Sequence, residues 1–349
     1  MNPGWEGIAS PPEEHPRLAM TLDREFLVFF TVIHTTSLDE ITLQNAWLTI
    51  GIFDGVHRGH QEILRALTNG AHAAGEPAVV LTFSPHPAVV LGGKTDFKCL
   101  TTPDELLRLL EAQGVDAVIT QTFSREFAGQ SAEEFMRAVV RTLGLRRLFT
   151  GHDTALGHGR EGNATRLTEI GRELGYTVQR VPPLSDEMGV ISSTRIRKSI
   201  ATGYVSAAAG DLGRYYDLSG PVIHGDGRGH RINVPTANIQ PPIGKIIPAN
   251  GIYACWAWLE GSSRESGERS WEGEKHPAAT NVGVRPTFTP DLPAPAIEAH
   301  LLDFERDLYG QQVRLEFVEY LRPEEKFSSV EALVEQIQAD IELTREILA

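Results

Sequence analysis

The chain has little cysteine, no long apolar run and a shortage of positive charge. Only two of its 349 residues are cysteines, Cys99 and Cys255, far apart and outside any CxxC pair. They make no disulfide framework, which fits a reducing compartment, and a cytoplasmic location is expected. No apolar stretch reaches the ~18 residues of a membrane span, so no membrane partner is expected. The nearest, FLVFFTVI over 26–33, is short and lacks a basic flank and a cleavage site. It reads as a buried strand rather than a signal peptide. Basic residues number 32 against 46 acidic ones, a formal net charge of −14. That balance excludes a protein that coats nucleic acid, which needs a basic face. Small phosphorylated ligands remain open, because they need only a local cationic pocket.

What is present is the composition of an ordinary globular chain, 41% hydrophobic and 22% charged. Its length predicts two domains, each able to bury a core. Residues 1–24 carry prolines, glutamates and glycines without periodicity and read as a disordered extension, with Met20 as an alternative start. WLTIGIF, AVVLTF and DAVIT, and more weakly RRLFTG, read as strands buried on both faces. Helical spacing over 61–74, 103–112 (after a Thr102 cap) and 131–143 (Ser131 with Glu134, a capping-box pattern) separates them. Strands alternating with helices predict a parallel α/β sheet over 25–201. A short Ala-rich helical connector follows at 202–216. The remainder, 217–349, changes texture: IYACWAWL and VRLEFVEYL read as antiparallel strands, 261–275 as a polar hairpin loop. Residues 328–348 read as one long helix with Val330, Leu333, Val334, Ile337, Ile341 and Leu343 as its apolar stripe. This predicts a small β-barrel or sandwich closed by a helix.

GIFDGVHRGHQ follows a buried strand and opens an amphipathic helix. Gly51, Gly55 and Gly59 allow close approach of a ligand, and the helix start offers unpaired N–H groups and a positive dipole end. His57 and His60, three apart, can donate to one phosphate chain. Adenylyl transfer builds charge on the α-phosphate and the departing pyrophosphate, and placed donors lower that barrier. One histidine alone would read as structural; strand, glycines, HxxH spacing and helix together favour the site. Zinc would need a third ligand nearby, and none is present. TFSPHP ends the next strand, where open α/β sheets place their crevice, and its prolines fix a turn that either aims His86 or is merely structural. ISSTRIRK places Ser193 and Thr194 at a helix start with Arg195 in the first turn, against the dipole, a conflict that a bound anion would resolve. Arg197 and Lys198 read equally well as solvated. In the second domain, PTAN puts Thr236 and Asn238 on one face of an extended chain, where two oxygen ligands suit Mg²⁺ with phosphates, or else cap a turn. GDGRGHR is a glycine-rich loop, weak evidence by itself. Within IEAHLLDF, Glu298 and Asp303 are equal candidates for a base.

GIFDGVHRGH, TFSPHP and ISSTRIRK, in this order and spacing, resemble the bacterial bifunctional riboflavin kinase/FAD synthetase family. PTAN, NVGVRPTF, IEAHLLDF, LYG and KF continue the resemblance through the second domain. It implies a Rossmann-like nucleotidyltransferase domain followed by a six-stranded riboflavin-kinase barrel with a C-terminal helix. It implies phosphorylation of riboflavin to FMN, then adenylylation of FMN to FAD and pyrophosphate, both with ATP and Mg²⁺. In the first domain it assigns His57 and His60 as catalytic groups and Gly51, Phe53, Asp54, Gly55, Ser193, Thr194 and Arg195 to ATP, with His86 and Asp153 on FMN. In the second it assigns Gly225, Gly227, Arg228, Gly229, Pro235, Thr236, Asn238, Asn281 and Arg285 to ATP and flavin. Thr236 and Asn238 would hold the metal, and Glu298 is the matching base. The chain departs from the family at Thr154, Ala155 and Leu156, which replace an aromatic–polar–aromatic triplet, and at Asn233, where glycine is common. The first departure raises a rival, a riboflavin kinase with weakened adenylyltransferase. A non-catalytic flavin-binding protein is the other, against which intact His57, His60, Asn238 and Glu298 speak. A monomer or weak homo-oligomer acting on small molecules is expected.

Overall fold

The computed structural model describes residues 20–21, 32–93, 96–225, 232, 234–260, 273–284 and 295–349. Apolar runs without polar alternation are stable only as strands covered on both faces, and these form the first sheet. Its strands are β1 Ile33–Thr35, β2 Trp47–Ile50, β3 Ala78–Ser84, β4 Ala117–Thr122, β5 Arg147–Thr150 and β6 Thr177–Arg180. They lie in the order β6-β5-β2-β3-β4-β1, every pair parallel. Helices α1 Arg58–Ala74 and α2 Pro103–Glu111 cover one face; α3 Ala132–Leu143 and α4 Ala164–Leu174 cover the other. Along β3, Val79 and Leu81 join the α3/α4 core, while Ala78 and Val80 join the α1 core with Leu64 and Leu67. Each such buried Leu or Val contributes ~1.5–3 kcal/mol over exposure. Both expected caps, Thr102 with Glu105 and Ser131 with Glu134, close as reciprocal capping boxes.

Two strand expectations are corrected. WLTIGIF ends as a strand at Ile50, because Phe53 takes φ +53° and turns the chain. Of FLVFFTVI, residues 26–31 lie outside the described residues, and Ile33 opens an edge strand that is only partly buried. The extension at 1–24 also lies outside them, except that Met20–Thr21 pairs in parallel with Ile41–Thr42.

After α5 Ser193–Ala201 and α6 Val205–Leu212, six strands close an antiparallel barrel. They are β7 Tyr216–Ile223, β8 Ala237–Ile239, β9 Gly251–Leu259, β10 Lys275–Val284, β11 Pro295–Leu301 and β12 Gln312–Arg322, in the order β7-β8-β11-β10-β9-β12. In VRLEFVEYL the buried alternation of Val313, Leu315 and Phe317 stops after Phe317. Phe317 pairs Cys255 and Glu319 pairs Ala254, so Val318 is an extra residue and β12 bulges there. Helix α7 Val330–Leu348 starts at the Ser329 cap and packs on the outside of the barrel. Its apolar stripe is only half used. Ile341 is buried, whereas Val330, Val334 and Leu343 are exposed. A bidentate Asp340–Arg322 pair (2.7 and 2.9 Å) ties the helix to β12 instead.

The two modules share one core. Ile196 and Ile200 of α5 and Val205, Ala208 and Leu212 of α6 belong to the same buried cluster as Leu218, Leu315 and Phe317 of the barrel. Leu100 joins it from the first module, and Cys99 bonds Gly244 and Ile246 across the junction (2.8 and 2.9 Å). Beside them Lys245 Nζ donates to both oxygens of Glu105 at 2.6 Å, with both side chains buried. Removing one partner of a buried pair strands the other charge. Lys245→Met is therefore expected to destabilise the chain by ~3–5 kcal/mol, and Lys245→Met with Glu105→Gln to recover most of it, as read from urea unfolding midpoints.

Candidate active site

The sheet order reverses at β2, whose neighbours are β3 and β5. Open parallel sheets bind ligands at such a switch, beyond the carboxyl ends of the strands. A cleft of about 870 Å³ lies there. The loops after β2, β3 and β5 and the start of α5 all reach its wall, so segments more than a hundred residues apart converge.

His57 is the N-cap of α1, and its Nδ1 accepts the His60 N–H over a long 3.4 Å. Its remaining nitrogen, Nε2, is left to carry the proton of the neutral ring as a donor. The two imidazoles stack 3.7 Å apart, and His60 leans on Phe53. Burial lowers His57 to about 4, with Asp153 opposing and Arg214 and Arg197 assisting. Burial, then His57, lowers His60 well below the usual range. Both rings are thus neutral donors at pH 7, and His60 Nδ1 is a buried atom without a partner. Gly55 is required here: its φ is +83°, and a Cβ would come within 2.7 Å of Leu100. Gly51 lies at the cleft, where its N–H continues the sheet to Leu81.

Asp54 is buried and anchors the loop rather than facing open space. Its Oδ1 accepts from Leu100 N–H and from the Thr101 N–H and hydroxyl; its Oδ2 accepts from Arg197 at 2.5 Å. Helix α5 departs from the sequence reading in two ways. Ser192, not Ser193, is the N-cap, and the Ser193 hydroxyl donates to the Asp54 carbonyl at 2.8 Å. Arg195 does not line the cleft. Its guanidinium pairs with Asp186 and Asp211, which resolves the dipole conflict without a ligand and holds Asp186 at about 2. The arginine of this helix that lines the cleft is Arg197, four residues after Ser193 and so on the same helix face, stacked 4.9 Å over Phe97; Arg160 lines the cleft from the loop after β5. That i,i+4 relation was the available signal. Ser192, Ser193 and Thr194 all reach the wall.

His86 caps the short helix Pro87–Val90 through Nδ1, which accepts Ala88 N–H at 3.0 Å, and leaves Nε2 free at the cleft. Asp153 also lines the cleft and is exposed. Thr154, Ala155 and Leu156 line the same region, with Ala155–Leu156 paired to Gly162–Asn163. The apolar wall facing them is aromatic. Phe123 and Phe127, which sequence reasoning passed over, sit 5.8 Å apart, and Phe83 and Phe135 line the cleft beside them.

In the barrel, Ala237 and Ile239 enter the core, so Thr236 and Asn238 face outward. Asn238 is opposite Glu298, and Glu298 is opposite Asn281. Glu298 and Asn281 of this row open on a cavity of about 260 Å³ under α7, lined also by Thr236, His300, Leu333 and Ile337 among others. Asn281 Oδ1 is buried there without a partner. His300 Nδ1 holds the Pro235 carbonyl at 2.8 Å, fixing the turn that carries Thr236. Gly225 packs on Asn238, where a Cβ would lie 2.3 Å from its Nδ2. Asp303 is elsewhere, exposed on a turn and paired with Arg345. Gly227, Arg228, Gly229, Asn233 and Arg285 lie outside the described residues.

The fold and these two cavities define a two-module transferase: a switch-point phosphate cleft followed by a barrel with an oxygen-rich site. Family models agree with both halves. FAD synthetase matches residues 39–195 and riboflavin kinase residues 212–348. Proteins called bifunctional riboflavin kinase/FMN adenylyltransferase match nearly end to end. That of Listeria monocytogenes is 34% identical over 90% of this chain and 96% of its own length. Those of Bacillus subtilis (33%, 84% and 89%) and Escherichia coli K12 (34%, 88% and 94%) are similar. The chain belongs to this bifunctional riboflavin kinase/FMN adenylyltransferase family. A crystal structure titled macrolide-efflux protein, from Streptococcus pneumoniae, has the same two-module fold, with TM-score 0.81 and 32% identity over 90% of this chain and 98% of that one. Among the described residues here no helix is long and apolar enough to cross a membrane.

Proposed function

We propose that the chain makes FAD from riboflavin in two ATP-dependent steps. Residues 217–349 phosphorylate riboflavin to FMN; residues 25–201 adenylylate FMN, releasing pyrophosphate; residues 202–216 join them. The observation that carries this reading is the convergence of His57, His60, Ser193, Thr194 and Arg197 on one switch-point cleft, in a chain with a separate carboxylate-bearing cavity in its barrel.

In the first module an FMN phosphate oxygen attacks the ATP α-phosphorus, and the bond to pyrophosphate breaks. The neutral His57 and His60 donate to the phosphate oxygens as charge builds, and Arg197 adds a fixed positive charge. His86 and Asp153 bound the flavin end, and the aromatic wall of Phe123 and Phe127 supplies a stacking surface despite the altered triplet at 154–156. In the second module Glu298 takes the proton of the riboflavin hydroxyl as the γ-phosphoryl transfers. Thr236, Asn281 and Glu298 offer oxygen atoms there, which suit Mg²⁺, and the unpartnered Asn281 Oδ1 is consistent with a polar ligand. Thr236 and Asn238 would hold the ion, which supplies charge neutralisation of the phosphates. The lone cysteines and the cleft dimensions support a cytoplasmic enzyme of small molecules, monomeric or weakly self-associating.

Chromatography of products from riboflavin, ATP and Mg²⁺ tests both steps. FMN followed by FAD is expected. FMN alone would overturn the reading of the cleft, and neither product would overturn that of the barrel cavity.

A further inference from the structure

We propose that Arg214, in the segment joining the modules, is a positioning residue for adenylyl transfer, holding the Gly55 carbonyl out of the phosphate cleft. The proposal rests on the reading of that cleft as the adenylyl site. The loop it acts on is strained, with φ of +53° at Phe53, +83° at Gly55 and +37° at the β-branched Val56. Such backbone persists only when its surroundings over-determine it.

The surroundings here are a collar of side-chain donors. Thr82 Oγ1 donates to the Ile52 carbonyl (3.2 Å) and Ser193 Oγ to that of Asp54 (2.8 Å). Arg214 Nη2 donates to Gly55 (2.9 Å) and Gln61 Nε2 to Val56 (2.9 Å), with a second bond from Gln61 to Leu212 (2.8 Å). Neither Arg214 nor Gln61 lines the cleft, so the oxygens they hold point out of it. A carbonyl oxygen turned inward would present a negative dipole end to a triphosphate. Arg214 and Gln61 prevent that at Gly55 and Val56.

Arg214 is the charged member of the collar, and its Nη1 is buried without a hydrogen-bond partner. A buried unpaired donor is costly and calls for a reason beyond packing. Its position supplies one. It follows the Gly213 cap of α6 and precedes Tyr216, the first residue of the barrel. The link thus runs from the barrel to the phosphate loop through one guanidinium. Its charge also disfavours protonation of His57, as does that of Arg197; Asp153 opposes both, and the His60 ring stacks alongside.

Arg214→Met removes the donor and the charge; Arg214→Lys keeps the charge and one flexible donor. With FMN and ATP as substrates, Arg214→Met is expected to raise KM for ATP at least ~10-fold and to lower kcat/KM by ~10²-fold, the scale of an ångström-level misplacement. Riboflavin phosphorylation by the same preparation should stay within about twofold. Arg214→Lys should recover most of the loss. In the free protein, NMR titration should find His57 shifted upward in Arg214→Met and unchanged in Arg214→Lys. The proposal is overturned if Arg214→Met keeps wild-type kcat/KM for FAD, or if both activities fall together and lysine restores neither, which would make Arg214 a general strut. If the wild-type chain forms no FAD, the reading of the cleft has failed instead. The His57 titration then still decides, an unmoved His57 in Arg214→Met counting against Arg214.

Discussion

Glu298→Gln is expected to lower riboflavin phosphorylation by about 10³-fold, within the range for loss of a general base, while FAD formation from supplied FMN is unchanged. Glutamine preserves volume and hydrogen-bonding reach on β11, so the Asn238–Glu298–Asn281 row is kept and only proton acceptance is lost. The adenylyl cleft is lined by a separate set of residues and serves as the internal control for folding. Asp303→Asn is the contrasting variant. Its carboxylate belongs to Arg345 on an exposed turn, and phosphorylation should stay within about twofold. Initial rates of FMN formation check both. Equal losses in the two variants would remove Glu298 from the role.

His57→Asn is expected to have the second-largest effect, lowering FAD formation by ~10²–10³-fold with riboflavin phosphorylation intact. Asparagine is a strong N-cap, so α1 keeps an acceptor at its first turn while the ring donor is lost. Rates with FMN and ATP, alongside thermal unfolding, separate chemistry from capping; a variant that unfolds early would implicate the cap instead. Acid acts on the same residue. Burial holds His57 at about 4 in the folded protein, against 6.5 ordinarily. Between those values the unfolded chain binds a proton that the folded chain refuses. Stability therefore falls as pH drops from 6.5 toward 4, by roughly 3 kcal/mol for this group, and levels off below. Urea unfolding at pH 7 and near pH 4 should show this loss, and His57→Asn should reduce it.

Much of this site was legible because its signals are local. HxxH at a glycine-flanked helix start, the two capping boxes and the outward pair Thr236 and Asn238 follow from spacing along one helix or strand. The misassignments share a different cause. Arg195 and Arg197 carry the same charge two residues apart, and nothing in ISSTRIRK shows that Asp186 and Asp211 claim the first while the second meets Asp54. Phe123 and Phe127 sit beyond the end of β4 as ordinary loop residues until the sheet order brings that end to the cleft. Helical periodicity states which residues of α7 share an apolar face and not how much of that face a partner covers, and Val330, Val334 and Leu343 stay exposed.

The chain's own order of residues determined the alternating strands and helices, the barrel texture and the family motifs, since each depends on backbone geometry over a few residues. Tertiary structure alone decided which arginine of ISSTRIRK meets the cleft, which carboxylate of IEAHLLDF opens on the barrel cavity, and that α5 and α6 share the barrel's core. Those outcomes depend on partners contributed by segments remote along the chain, whose distances are set only when the modules close on one another.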